Sequence, residues 1–183
     1  VDLLIEKGNA YFAFDTADEL EKKRKEAESE KRTFQYDVHT RHQMCNSLTL
    51  SPEEVEQKIS SGAPYVIRFK HQEDQEIEVN DLIRGKIEFD SSVLGDFVIA
   101  KDLGNPLYNF ACAVDDGEMK ISHVIRGEDH VSNTPKQILL IRALGLEEPE
   151  YAHLPLILSS EKRKLSKREG NTSVTEYIEQ GYL

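Results

Sequence analysis

Residues 120–158 contain the pattern that most restricts the possible folds: an apolar strand, an amphipathic helix and a second apolar strand. The strands are predicted for KISHVIRG (120–127) and YAHLPLIL (151–158). Between them, SNTP at residues 132–135 begins a helix that Gly145 ends, because glycine readily adopts the left-handed conformation that follows a helix. Two strands joined by such a helix are expected to pair in parallel with a right-handed crossover.

The first hundred residues predict a mixed module of short helices and strands. Two helices are expected to begin with capping boxes, at Thr16 with Glu19 and at Ser51 with Glu54, because each hydroxyl can accept the amide three residues later. Alternation of apolar and polar residues predicts short strands. These are AYFAF (10–14), YVIRFK (65–70), EIEVND (76–81), KIEFD (86–90) and DFVIAK (96–101). We expect mostly antiparallel pairing among them.

The composition excludes several classes of protein. Hydrophobic residues make up 38% and charged residues 31%, as in globular rather than disordered chains. No apolar run is long enough for a membrane span, and two cysteines do not make a disulfide framework, so we expect a cytoplasmic protein. The net charge of -11 allows nucleic-acid contact only through a local basic patch. The chain starts with valine, and we expect it to begin within a longer protein.

Two segments near the predicted parallel strands could bind a ligand. EKRKLSKRE, at residues 161–169, holds five basic and two acidic residues. It could bring ammonium groups to a polyphosphate beyond the strand ends, although its composition alone favours an ordinary solvated loop. VIRGEDH, at residues 124–130, offers an arginine that could clamp a carboxylate and a carboxylate that could hold a ribose. A surface ion-pair cluster would explain VIRGEDH equally well.

Four motifs together resemble the glutamyl-tRNA synthetases, which are class I aminoacyl-tRNA synthetases. LYNFACAVDD, ISHVIRGEDHVSNTPKQILLIRALG, YAHLPLIL and KLSKR occur in the order, and nearly at the spacing, of that family. The resemblance is specific over residues 105–183 and weaker before them, where AYFAFDTADEL, FQYD, YVIRFK and VNDLIRGKIEF contribute. KLSKR is similar to the "KMSKS" signature of class I enzymes.

The resemblance implies an α/β fold: the second half of a class I synthetase Rossmann-type parallel sheet, plus an inserted α+β connective domain. Residues 1–15 would end the first Rossmann half, and residues 16–105 would be the connective insertion that binds the tRNA acceptor end. Residues 106–158 would form the second half of the catalytic core. Residues 159–183 would hold the KMSKS-type loop and the start of a stem-contact region.

The resemblance also implies roles for individual residues. The glutamate pocket would be lined by Tyr108, Asn109, Cys112 and Arg126. ATP, as its Mg²⁺ complex, would contact Asp129, the backbone near Ile157 and the loop residues Lys164, Leu165, Ser166, Lys167 and Arg168. Lys164 and Lys167 would be catalytic, stabilising the α-phosphate during attack. The implied partners are glutamate, ATP and tRNA(Glu), and the parent enzyme would be a monomer that does not contact membranes.

Departures from the family pattern keep other interpretations open. The "HIGH" signature that cradles ATP phosphates is absent from these residues, so we expect the isolated chain to be inactive. Zinc-bearing relatives place cysteines at the positions of Ala13, Asp15 and Thr40, so no zinc or other metal site is expected. His153 is expected to be a packing or surface residue, and Cys112 a buried, inert thiol.

Two alternatives remain beside a tRNA-charging glutamate ligase. The first is the short paralogue, glutamyl-Q tRNA(Asp) synthetase, which attaches glutamate to a modified tRNA base and shares the RGED and KLSK motifs. The second is a non-catalytic module that binds the tRNA acceptor end. A glutaminyl enzyme is disfavoured, because that family has an uncharged residue where Arg126 stands.

Overall fold

A computed structural model describes residues 1–72, 76–158, 174–179 and 181–182 of the chain. Its helices are α1 (Asp2–Glu6), α2 (Ala17–Ser29), α3 (Pro52–Ser60), α4 (Tyr108–Glu118), α5 (Thr134–Leu144) and α6 (Val174–Glu179). Its strands are β1 (Ala10–Ala13), β2 (Val66–Phe69), β3 (Ile77–Asp81), β4 (Gly85–Phe89), β5 (Val98–Ala100), β6 (His123–Gly127) and β7 (Glu150–Leu154). Short 3-10 helices lie at Arg41–Gln43, Ser91–Val93 and Glu128–Asn133.

The predicted strand–helix–strand unit is confirmed. Strands β6 and β7 pair in parallel, with Val124 opposite Tyr151 and Arg126 opposite His153, and α5 connects them. Strand β7 ends at Leu154, earlier than predicted, because the following Pro155 has no amide hydrogen to donate to a ladder. A 3-10 helix, which the sequence did not predict, leads from the end of β6 directly into α5.

Helix α5 forms the centre of the main hydrophobic core. Ile138, Leu139, Leu140 and Ile141 are each at most 2% exposed, and burial of one such side chain stabilises the fold by roughly 1.5–3 kcal/mol. Gly145 ends the helix in the left-handed region at φ 76°, as predicted from the sequence. The same core includes residues from every strand except β4 and β6, as well as from α1, α4 and α5.

Strands β1, β2 and β5 form a separate antiparallel sheet, in the order β1-β2-β5. Ala10 lies opposite Phe69, and Ala13 lies opposite Val66. Both predicted capping boxes are present: Thr16 caps α2 together with Glu19, and Ser51 caps α3 together with Glu54. Helix α2 buries only Ala27, so its charged side chains face solvent, as the high proportion of charged residues in this segment predicted.

The antiparallel hairpin of β3 and β4 packs beside β7. The amide of Leu82, in the hairpin turn, donates to the carbonyl of Tyr151 at 2.9 Å. Asp81 shapes this turn, because its Oδ1 accepts the amides of Ile83 at 3.0 Å and Arg84 at 2.9 Å. Gly85 closes the turn at φ 75°, where a side chain would be strained. The hairpin therefore brings residues 77–89 beside the end of the parallel strands.

None of the helices within the described residues combines the length and apolar character needed to cross a bilayer.

Candidate functional site

The predicted pocket residues meet where β6 ends and α4 begins. Tyr108 and Asn109 occupy the first turn of α4, and Arg126 lies next to the last residue of β6. The Tyr108 hydroxyl approaches Nδ1 of His130 to 3.4 Å, and Gln137 donates its side-chain amide to Asn109 Oδ1 at 3.3 Å. The first turn of α4 is therefore joined to the segment that follows β6.

Cys112 lies one turn further along α4 than Tyr108 and is partly buried. Burial raises the pKa of the Tyr108 phenol, and a hydrogen bond between Tyr108 and Cys112 adds to the increase. Tyr108 is nevertheless 53% exposed, so it lies at the surface of the site. The thiol is less enclosed than the sequence suggested.

Arg126 is held along one edge of its guanidinium group. Its Nε donates to Nε2 of His153 at 3.2 Å, and its Nη2 donates to Oγ1 of Thr134 at 2.8 Å. Its charged group also lies 5.5 Å from the ring centre of Tyr151. No residue in the described part of the chain accepts a hydrogen bond from Nη1. A guanidinium fixed on one side and open on the other can bind a carboxylate with directed, charge-assisted hydrogen bonds.

Asp116, on α4, interacts electrostatically with Arg126. Burial raises the pKa of Asp116, and the positive charge of Arg126 opposes that increase. Arg126 itself is only partly exposed, and a bound anion interacts more strongly with a partly buried charge than with one in water.

His153 and Asp81 support Arg126, and sequence reasoning did not find either of them. His153 is completely buried, and its Nδ1 lies 2.6 Å from Oδ2 of Asp81. The parallel register could have identified His153, since it places this residue beside Arg126 on the neighbouring strand. Asp81 had no comparable signal, because the sequence predicts only that it ends the strand EIEVND (76–81).

The predicted nucleotide residues follow the carboxyl ends of β6 and β7. Asp129 lies in the 3-10 helix after β6, and Ile157, which is 76% exposed, lies three residues beyond β7. This is the edge at which open α/β sheets bind ligands. The Lys164–Arg168 segment, including Leu165, Ser166 and Lys167, lies outside the described residues.

Gly127 allows the chain to turn closely around Asp129. A Cβ atom at Gly127 would lie 2.5 Å from Oδ1 of Asp129 and 3.9 Å from a methyl carbon of Leu156. Glu128 ties the same region together, because its Oε1 accepts the amide of Leu156 at 3.1 Å and its other oxygen pairs with Arg84. The backbone beyond both strands is therefore fixed by the hairpin turn.

Within the described residues, no group of three or more histidine, cysteine or acidic side chains could hold a metal ion. Asp15 instead accepts the Tyr36 hydroxyl at 2.9 Å and the amide of Cys45 at 2.8 Å. The Tyr36 oxygen accepts an amide hydrogen from Asn46 at 3.0 Å, and Thr40 donates to the carbonyl of Gln35 at 2.7 Å. These side chains join the loop at residues 35–46 to the end of β1.

The chain is similar to known proteins over nearly its whole length. The chain is 48% identical over 179 residues to the glutamate–tRNA ligase of Hydrogenobaculum sp., covering 98% of this chain and 37% of the relative. It is 48% identical over 183 residues to the glutamate–tRNA ligase of Aquifex aeolicus, covering 100% of this chain and 37% of that one. The chain thus spans little more than a third of the length of these relatives.

A solved structure has the same fold. It is the crystal structure of a glutamate tRNA ligase from Elizabethkingia meningosepticum in complex with its amino acid, which is 42% identical with a TM-score of 0.83. The match covers 99% of this chain and 35% of that one. The model of the family described as tRNA synthetases class I (E and Q), catalytic domain, matches residues 1–183. The chain therefore belongs to the class I tRNA synthetases of the E and Q group, with their α/β catalytic fold.

Proposed function

We propose that the chain is part of a glutamate–tRNA ligase, which activates glutamate with ATP and transfers it to the 3′ end of tRNA(Glu). The observation that supports this best is the Arg126 guanidinium, held on one edge by His153 and Thr134, in a chain 48% identical to such ligases. The named relatives favour this activity over the base-modifying paralogue and over a non-catalytic module.

In this proposal, Arg126 binds the side-chain carboxylate of glutamate through Nη1. Tyr108, Asn109 and Cys112 line the same pocket from α4. Glutamine would present a neutral amide to Arg126, and loss of a charge-assisted hydrogen bond costs about 1.5–3 kcal/mol. The pocket would therefore select glutamate by charge.

ATP enters as its Mg²⁺ complex and is held beyond the carboxyl ends of β6 and β7. Asp129 accepts the ribose hydroxyls, and the backbone near Ile157 contacts the adenine. Lys164 and Lys167, with Leu165, Ser166 and Arg168 completing their loop, stabilise charge on the α-phosphate. These roles need positioned cations and no general base.

The two reactions follow from that arrangement. An oxygen of the α-carboxylate of glutamate attacks the α-phosphorus of ATP. The new oxygen–phosphorus bond forms as the bond to the bridging oxygen breaks, and pyrophosphate leaves with that electron pair. The hydroxyl of the terminal tRNA ribose then attacks the carbonyl carbon of the adenylate and gives its proton to the departing phosphate, and AMP leaves with the bonding electron pair. Residues 16–105 would hold the acceptor end, while residues 1–15, 106–158 and 159–183 belong to the catalytic core and its loop. We infer that the enzyme acts as a monomer in the cytoplasm.

The test is glutamate-dependent pyrophosphate exchange by the intact protein and its Arg126→Ala variant, with tRNA present. We expect the KM for glutamate to rise about 10- to 150-fold, the equivalent of 1.5–3 kcal/mol, while the KM for ATP changes little. Arg142→Ala is the matched control, because Arg142 is exposed and pairs with Glu148. An unchanged KM for glutamate in Arg126→Ala would remove Arg126 from the pocket and refute the proposal.

A further inference from the structure

We propose that Asp81 and His153 are positioning residues for Arg126, and that Asp81 acts by holding the His153 imidazole in its Nδ1-protonated tautomer. The inference rests on the proposed function, in which Arg126 binds the substrate carboxylate. It extends the site to the β3–β4 hairpin, which carries none of the predicted site residues.

The three residues form a continuous hydrogen-bonded chain. Oδ2 of Asp81 lies 2.6 Å from Nδ1 of His153, and Nε2 of His153 lies 3.2 Å from Nε of Arg126. Asp81 is 4% exposed and His153 is not exposed at all. Water therefore cannot substitute for either partner without a rearrangement of the core.

The chemistry of these atoms determines the tautomer. The Nε of a guanidinium always carries its hydrogen and can only donate. Nε2 of His153 must therefore be the acceptor, which leaves the single imidazole proton on Nδ1, facing Asp81. A neutral histidine has one donor nitrogen and one acceptor nitrogen, and the partner of one sets the state of the other.

Asp81 is suited to this task because it stays ionised. Burial by itself would raise its pKa, but hydrogen bonds from the amide of Arg84, the His153 imidazole and the amides of Ile83 and His153 together lower the pKa to about 2. At neutral pH the carboxylate can only accept hydrogen bonds. It therefore excludes the tautomer that would place a hydrogen on Nε2.

The hairpin turn holds Asp81 in place from several directions. Oδ1 accepts the amides of Ile83 and Arg84, and both carboxylate oxygens lie within 3.2 Å of the amide nitrogen of His153. Arg84, in the same turn, forms an ion pair with Glu128 beside the nucleotide segment. The turn therefore contacts Glu128 directly and Arg126 through His153.

This arrangement makes Asp81→Asn a specific probe. The amide oxygen of asparagine would occupy the Oδ1 position, because the two turn amides there need an acceptor. Its NH₂ group would then face Nδ1 of His153 and donate to it. The imidazole proton would move to Nε2, where it would face the hydrogen on Nε of Arg126, and Arg126 would lose its contact with His153 while keeping the one with Thr134. A similar Asp→Asn exchange beside a catalytic histidine in serine proteases keeps the geometry and produces the wrong tautomer.

The experiment combines nitrogen NMR of ¹⁵N-histidine-labelled intact protein with pyrophosphate-exchange kinetics. We expect His153 in the wild type to be protonated on Nδ1, and in Asp81→Asn to be protonated on Nε2. The KM for glutamate should rise at least about tenfold in the variant, as one lost charge-assisted contact predicts, and the KM for ATP should stay within about twofold. Asp90→Asn is the matched control, since Asp90 caps an exposed turn and its hydrogen bonds within the described residues are to Ser92.

Each outcome supports or overturns the inference. An Nε2-protonated His153 in the wild type would overturn it without any variant. A tautomer change without an increase in the KM for glutamate would overturn it as well. If Arg126→Ala loses glutamate binding while Asp81→Asn does not, only the positioning role fails; if Arg126→Ala has no effect, the proposed function itself fails.

Discussion

Asp81 should also make the stability of the chain depend on pH in acid. Its pKa is lowered from 3.8 to about 2 on folding, which corresponds to about 2.4 kcal/mol of stabilisation at neutral pH. Because the folded pKa is the lower one, this contribution is complete well above pH 4 and is lost as the pH falls towards 2. By the same relation, about 1.3 kcal/mol of this stabilisation remains at pH 3.

Comparison with Asp81→Asn isolates this contribution, because the variant cannot titrate at that position. Urea unfolding of the 183-residue chain at pH 7 and pH 3 gives the free energy of unfolding for the wild type and the variant. The difference between them should shrink by about 1 kcal/mol at pH 3. Asp90→Asn, at a fully exposed turn carboxylate whose pKa is lowered by hydrogen bonds from Ser92, should show a much smaller change. An equal wild-type-to-variant difference at both pH values would show that the Asp81 carboxylate is not held ionised by its buried donors.

Two further substitutions test the nucleotide edge and the core. Gly127→Ala should raise the KM for ATP in pyrophosphate exchange with little loss of stability, because the new Cβ, 2.5 Å from Oδ1 of Asp129, displaces a side chain that can rotate. The control is Gly104→Ala, whose Cβ would meet Asp102 at 3.5 Å. An unchanged KM for ATP in Gly127→Ala would show that Asp129 does not contact the nucleotide. Ile138→Ala, at a position 1% exposed, should lower the free energy of unfolding by about 2–5 kcal/mol in urea titrations. Leu103→Ala, at a position 47% exposed, should lower it far less. A loss below about 1 kcal/mol for Ile138→Ala would contradict the assignment of α5 to the centre of the core.

Local patterns in the sequence were sufficient for most elements of the fold. The capping boxes at Thr16 and Ser51, the glycine at the end of α5 and the apolar strands on either side of it all depend on residues a few positions apart. Parallel pairing of β6 and β7 followed from the helix between them. The end of β7 was misjudged, because the apolar run continues past Pro155 although the ladder does not.

The sequence alone also proposed Arg126 as a candidate binding residue, through the RGED motif, but it did not predict which side chains hold its guanidinium. Position 153 was expected to be a packing or surface residue, and Asp81 was expected only to end the strand predicted at residues 76–81. Both assignments were incomplete, because Asp81 and His153 are 72 positions apart in the chain and meet only when the β3–β4 hairpin docks on β7. Short-range periodicity determined the strands and helices; only tertiary packing decided which buried donor meets which acceptor, since that depends on long-range register rather than on neighbouring residues.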